Sequence, residues 1–281
     1  MEQGLRESGL PFDIVETTGP GHAIGLAREA SRAGLTRILV AGGDGAVHEV
    51  MNGLVNEPAA PDGATRAALG VIPLGTGNDF AKLVGVFKLP PRVAALRMMR
   101  ATETLFDVGK CGTEHFDNIM GVGFDAETVR HADRIKRLRG VAVYLAAIYR
   151  TFLSFRAPHL EVSSREHAES GAMMMLSACI GVSGGGSFYL APQADPTDGL
   201  LDVCLIRKVG LMTFLKSVPK VMKGTHTSLD EVTLYRTQSV TIKSKDGAPL
   251  VLQLDGELRE LGHHEVTITI EPRRLRVLVA R

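Results

Sequence analysis

The chain has 281 residues, 44% of them apolar and 22% charged, a composition that supports a sizeable core, leaves room for two domains and excludes disorder, collagen and coiled coil. Thirty-two Lys and Arg offset 31 Asp and Glu for a formal net charge of +1, so no global field recommends nucleic acid as a partner and any basic site must be local. Cys111, Cys179 and Cys204 are odd in number and far apart, which argues against a disulfide framework or structural zinc and for a reducing, cytoplasmic setting.

From Ile24 to Ala33 apolar residues recur at helical spacing, and Thr36–Ala41 then reads as a short buried strand opening into Gly42-Gly43-Asp44-Gly45. A helix follows over about Val47–Val55. Ala67–Ile72 is a second buried strand, ending in the glycine turn Pro73–Asp79, and Arg92–Arg100 is a further amphipathic helix. Strand, glycine turn and helix, repeated, predict an α/β domain with a parallel sheet.

Beyond Thr104 the pattern becomes β-rich, with strands expected at Thr104–Gly109, His159–Val162, Met173–Gly181, Leu201–Ile206, Ser239–Ser244, Leu250–Leu254, Glu265–Ile270 and Leu275–Val279. Two helices, Tyr144–Phe155 and Leu211–Lys223, interrupt them. The reading is an α/β domain over 1–105 and a β-sandwich or curled-sheet domain over 106–281, with the cleft between them as the default ligand site. The most apolar stretch, Ala172–Val182, is shorter than the ~20 residues of a membrane helix, and the N-terminus carries no signal pattern.

A buried strand that ends in GGDG and feeds a helix directs backbone N–H groups and a helix N-terminus at one point, where a phosphate is stabilised. Asp44 inside that turn would repel phosphate unless a divalent cation lies between them, so a phosphate loop here implies Mg²⁺; an ordinary turn with Asp44 as helix cap is the alternative. In Asp195–Leu200 two carboxylates lie three residues apart, a spacing that allows oxygen ligands to meet on one hard cation, although Asp, Pro, Thr and Gly are also plain turn formers. Leu254-Asp255-Gly256-Glu257 follows an apolar run, so Asp255 and Glu257 share a face at a strand end, as either a reactive pair or two solvated turn acids.

GGDGAVHEVMNGL followed by GVIPLGTGNDFAK resembles the diacylglycerol kinase catalytic domain superfamily, which includes bacterial lipid kinases, sphingosine kinases and ceramide kinases. GGDG alone would also suit NAD kinases; PLGTGNDFA separates the two. GVGFDAETV, GGGSFYLAPQADPTDGLLDV and LQLDGE continue the resemblance in the family's order, while Ala46 stands where Thr or Ser is usual and His48 where many bacterial members have Asn. The resemblance implies ATP held by Thr17, Gly42, Gly43, Asp44, Gly45, Ala46, Val47, His48, Glu49, Gly75, Thr76 and Asn78. It implies Mg²⁺ bound through the Asp198 carboxylate, the Leu200 carbonyl and an Asp195 oxygen. Phosphoryl transfer requires an oriented alcohol, neutralised phosphate charge and a carboxylate that accepts the hydroxyl proton. Asp255 is the expected base with Glu257 beside it, and Asp44 is the competing assignment.

The expected activity is transfer of the ATP γ-phosphate to the hydroxyl of diacylglycerol or a related lipid, by a cytoplasmic protein in peripheral contact with the inner membrane face. A homodimer is left open. The rivals are an NAD-kinase-like phosphotransferase on a soluble substrate and a non-catalytic lipid- or nucleotide-binding protein. Basic residues between Arg130 and Arg139, ahead of the apolar helix, are the first candidate for lipid contact; in Leu211–Met222 core packing is the favoured explanation. Family members begin with a strand and an NPxSG-type loop ahead of the segment matching ETTGPGHA, so the comparison predicts one side of the phosphate cradle upstream of Met1.

Overall fold

Two parallel strands, β1 (Arg37–Gly42) and β2 (Ala68–Pro73), align Arg37 with Ala68 and Gly42 with Pro73, so that both glycine turns leave the sheet at the same end. The computed structural model describes residues 1–132 and 141–280. β2 is buried at every position, as its unbroken apolar run requires, whereas β1 is covered only in part. Helix α2 (His22–Arg32) lies on α3 (Asp44–Val55); α1 (Glu2–Glu7) lies on α5 (Pro91–Met99), which starts with proline at its first helical position. Met51, Leu54, Leu69, Ile72, Phe80 and Met98 fill the core between these elements. Burial of each such side chain contributes about 1.5–3 kcal/mol.

Past the short helix α4 (Asp79–Leu83), the chain continues as β3 (Thr102–Cys111), β4 (Glu114–Phe116), β5 (Ile119–Gly123), α6 (Phe124–Ala132) and α7 (Val141–Ser154). Next come β6 (His159–Ser163), β7 (Ala168–Cys179), β8 (Leu201–Arg207), α8 (Leu211–Met222), β9 (Val232–Thr237), β10 (Ser239–Ser244), β11 (Val251–Leu254), β12 (Glu257–Glu260) and β13 (Glu265–Val279). The first half of β7 pairs with β6, which pairs with β10. Its second half pairs with β5 and β8 instead, and an irregularity between Met173 and Met175 marks the change. A strand that switches sheets at a bulge turns a corner between two layers, whose inner faces supply a core that includes Phe116, Met120, Leu160 and Leu176.

Two compact units result, Met1–Val108 with the chain from Glu271 onward, and Gly109–Ile270. The sequence suggested one cut after residue 105, and two strands at Glu265–Ile270 and Leu275–Val279. Instead β13 is a single strand whose last part pairs in parallel with β2, Val277 opposite Leu69, so the chain's end belongs to the first unit. Pro272 reads as a strand break; in the structure Arg273 adopts φ 55° and donates its N–H to Asp107 Oδ1 at 2.7 Å, which carries the strand past the proline. β4, β5, α6, β9 and β12 were not expected. β4, β5 and β12 are three to five residues long and carry little period of their own. Most of the basic segment between Arg130 and Arg139 lies outside the described residues. No described helix is long and apolar enough to cross a membrane.

Candidate functional site

In the first unit the two glycine turns touch. A Cβ built on Gly75 would lie 2.5 Å from Gly43 Cα, and one built on Gly43 would lie 3.1 Å from Gly75 Cα. Leu74 N–H donates to Gly42 O at 2.9 Å, continuing the strand pairing into the turns. Asn78, at φ 52°, closes the second turn by accepting from Gly75 N–H at 3.0 Å and donating Nδ2–H to Gly75 O at 2.7 Å. The side chain thus reaches back to Gly75 and makes no cap hydrogen bond to α4, so the Asx-type cap that Asn78 suggests in the sequence does not form. Phe80 N–H donates to Asp44 Oδ1 at 3.2 Å, which fixes the first residue of α3 to the start of α4. Asp79 pairs with Lys82 at 2.6 Å, both side chains nearly buried.

Helix geometry leaves the first N–H groups of α3 without intrahelical acceptors, and they lie beside these two turns. Gly42, Gly43, Asp44, Gly45, Ala46, Gly75, Thr76 and Asn78 are therefore gathered at one end of the sheet, with Thr76 exposed. Val47, His48 and Glu49 have other work. Val47 is buried in the core, and His48 is buried with Asn52 Nδ2 3.3 Å from its Nε2. Glu49 accepts from Gly21 N–H at 2.7 Å and from Ala23 N–H at 3.1 Å, so its carboxylate caps α2. Through that cap the ETTGPGHA segment, with Thr17 exposed, is tied to the helix that begins at GGDG.

In the second unit Asp255, at φ 50° between β11 and β12, accepts three backbone N–H groups. Asp117 N–H reaches Oδ2 at 3.0 Å; those of Asn118 and Ile119 reach Oδ1 at 3.0 and 2.9 Å. Glu257 is exposed at the start of β12. Beside this turn Gln253 accepts from Gly256 N–H at 2.6 Å and donates Nε2–H to Asp125 Oδ2 at 2.9 Å. Burial pushes the Asp125 carboxyl above the ordinary range, against the pull of the Gln253 hydrogen bond. A Cβ on Gly121 would fall 1.9 Å from Asp125 Oδ2, so only glycine leaves room for the acid. Asp125 is a buried acid beside the Asp255 turn that sequence reasoning did not single out. Its signal was GVGFDAETV, a motif given no role because the partners lie on β5 and β11.

The loop over Asp195–Leu200 is an Asx-type turn, with Asp195 Oδ1 accepting from Thr197 N–H at 2.9 Å and from Thr197 Oγ1–H at 2.7 Å. Asp198 Oδ1 accepts from Leu200 N–H at 3.0 Å, and Asp198 Oδ2 faces Arg236 Nη1 at 3.7 Å. Arg236 also donates to Asp202 Oδ1 at 3.1 Å; even so, burial keeps the Asp202 carboxyl above its usual range. The donors available here are all oxygens, the set that suits a hard cation. Among the described residues no three His, Cys, Asp or Glu side chains converge as a metal cluster, so a cation would depend on main-chain oxygens such as Leu200 O besides Asp198.

A parallel sheet with paired glycine turns, followed by a β-sandwich unit with a carboxylate at a strand end, matches a phosphotransferase class. Residues 1–111 match the diacylglycerol kinase catalytic domain and residues 118–279 the YegS C-terminal NAD kinase beta sandwich-like domain. A diacylglycerol kinase of Bacillus subtilis (strain 168) is 30% identical over 256 residues, covering 91% of this chain and 82% of that protein. A Chromohalobacter salexigens protein named "Probable lipid kinase YegS-like" is 31% identical, covering 90% and 79%. The chain belongs to the diacylglycerol kinase and YegS-like lipid kinase family, and is a lipid kinase acting as a phosphotransferase. The fold is shared with a diacylglycerol kinase from Bacillus anthracis str. Sterne (TM-score 0.74, 20% identity, 98% of this chain and 88% of that one). It extends to an NAD kinase from Archaeoglobus fulgidus solved in complex with ATP (TM-score 0.53, 11% identity, 100% and 88%).

Proposed function

We propose that the protein transfers the γ-phosphate of ATP to the hydroxyl of diacylglycerol or a related neutral lipid presented at a membrane surface. The observation that carries this reading is the contact of Gly43 with Gly75 at the N-terminus of α3, which leaves a cradle of backbone that any side chain would fill. Gly42–Ala46 and Gly75–Asn78 would face the phosphates, with Thr76 and Thr17 as hydroxyl donors. Val47, His48 and Glu49 would act by holding that backbone in place. The relatives' printed names supply diacylglycerol as the acceptor class.

Asp255 is proposed to accept the lipid hydroxyl proton, its carboxylate oriented by the three N–H groups of residues 117–119. Glu257, exposed two residues on, would position the hydroxyl. Asp125, buried and linked to the same turn through Gln253, is the second candidate for proton transfer, since burial raises its affinity for a proton. Mg²⁺ supplies charge neutralisation for the phosphates when bound, and Asp198, Leu200 and Asp195 would hold a further ion that stiffens their loop. The experiment is transfer of labelled γ-phosphate from ATP to a panel of diacylglycerols, ceramide, sphingosine and NAD. Label in diacylglycerol with none in NAD supports the reading, and label in NAD alone overturns it.

A further inference from the structure

α8 carries more apolar surface than its contacts cover. Phe214 is buried and stacks on Phe152, ring centroids 4.2 Å apart, with Phe124 edge-on at 5.3 Å. Val218 and Val221 pack against the same cluster, so positions 214, 218 and 221 form the inward stripe of an ordinary surface helix. The apolar arc does not stop there. Leu211, Met212 and Leu215 are 44%, 64% and 45% exposed, and Lys216, Lys220 and Lys223 continue round the helix from them.

The charge on this segment has one sign. Between Asp202 and Asp230 the sequence contains no acidic residue, and Arg207, which pairs with Glu169 on β7, is the one basic residue there with a carboxylate partner among the described residues. Among the described residues Lys208, Lys216, Lys220 and Lys223 pair with no carboxylate. A helix half sunk in its own protein, with large apolar side chains outward and lysines beside them, has the pattern that lies in a lipid interface: side chains enter the acyl boundary while ammonium groups meet anionic headgroups.

We propose that α8 is the surface by which this kinase docks on an anionic phospholipid bilayer, through Leu211, Met212 and Leu215 inserted and Lys216, Lys220 and Lys223 at the headgroups. The proposal rests on the reading of the protein as a kinase of membrane lipid and names where it meets the membrane. An acidic protein would satisfy the lysines and leave three large apolar side chains in water. A second copy of the chain would set lysine against lysine. A bilayer with anionic lipid satisfies both sets of side chains.

The test uses the full chain and three proteins: wild type, L211S/M212S/L215S and K216E/K220E/K223E. Binding is read by sedimentation with vesicles of phosphatidylcholine alone or mixed with phosphatidylglycerol, and turnover is read on vesicle-borne and on water-soluble short-chain diacylglycerol. Wild type is expected to prefer the anionic vesicles, and each variant to bind them at least about tenfold more weakly, since each lysine at such a surface is worth roughly a fivefold change. Both variants should keep wild-type turnover on the soluble substrate, because these side chains are exposed and none belongs to the candidate site. Variants that bind anionic vesicles as wild type does would overturn the proposal, as would a wild type that loses self-association, read by light scattering, when the leucines are removed while vesicle binding is unchanged. Loss of vesicle binding in a protein that phosphorylates no lipid would sink the proposed substrate and leave the docking surface standing.

Discussion

Gly43 and Gly75 meet backbone to backbone, and a methyl group on Gly75 would sit 2.5 Å from Gly43 Cα and 3.0 Å from Asn78 Oδ1. The nearer neighbour is backbone, so the turns themselves must separate. We predict that Gly75→Ala costs ~1–3 kcal/mol of stability through overpacking. Separation of the turns should weaken ATP binding by at least about tenfold. Calorimetric titration with ATP and a melting curve check both; unchanged affinity would remove these turns from the nucleotide site.

Asp255 holds residues 117–119 across 136 to 138 residues of sequence, so its replacement tests two roles at once. In Asp255→Asn one oxygen still accepts N–H groups, while the new amide opposes a donor, at a cost of ~1–3 kcal/mol. A proton acceptor should also be lost, and kcat should fall by roughly 10²–10⁴ with ATP affinity little changed. A fall in melting temperature without a fall in kcat would mark Asp255 as purely an anchor and shift attention to Asp125.

At Gly121 the packing is tighter still, with Asp125 Oδ2 1.9 Å from where a Cβ would be. Gly121→Ala should displace Asp125 from Gln253 and lower turnover. Asp125→Asn relieves burial of an acid whose proton affinity is already raised, so it should stabilise the fold above the ordinary Asp value of 3.8, where the unfolded chain is ionised and the folded chain resists ionisation. Denaturation of both variants at neutral pH distinguishes them: a less stable Asp125→Asn would contradict the burial argument.

For the loop at 195–200, Mg²⁺ should raise the melting temperature of the wild type and EDTA should lower it, while Asp198→Ala should abolish the difference. Arg236 stands 3.7 Å from Asp198 Oδ2, so Arg236→Gln should enlarge the response to Mg²⁺ by removing a competing cation. A wild type indifferent to both additions would exclude a stabilising ion.

His226 is fully buried; Nε2 lies 3.2 Å from Leu190 O, and Nδ1 has no hydrogen-bond partner among the described residues. Burial holds its proton affinity below the ordinary value of 6.5. The unfolded chain therefore takes up a proton near pH 6.5 that the folded chain refuses, and stability should fall as pH drops below that value and level off above it. Urea titrations across pH 5 to 8 on wild type and His226→Gln check this. An equal acid-side slope in the two proteins would rule His226 out as its source.

The glycine turns at 42–45 and 75–78, the buried strands that feed them, and the family were legible in the sequence, because tight turns at strand ends constrain neighbours in the chain: glycine where backbones touch, Asn78 where φ is positive, apolar runs where a strand is covered on both faces. Other features depend on residues far apart in sequence. Glu49 looks like part of the nucleotide motif until Gly21 and Ala23 take its carboxylate, and GVGFDAETV has no chemistry until Gln253 reaches Asp125. The return of β13 to pair with β2 is likewise invisible locally, since Pro272 reads as an ending. In α8 the sequence determined which side chains are apolar and basic, and only the tertiary structure decided which of them are covered. Hydrophobic period records where apolar groups lie around a helix; how wide an arc is buried depends on the neighbours, here Phe124 and Phe152, which shelter Phe214 and leave Leu211, Met212 and Leu215 in solvent.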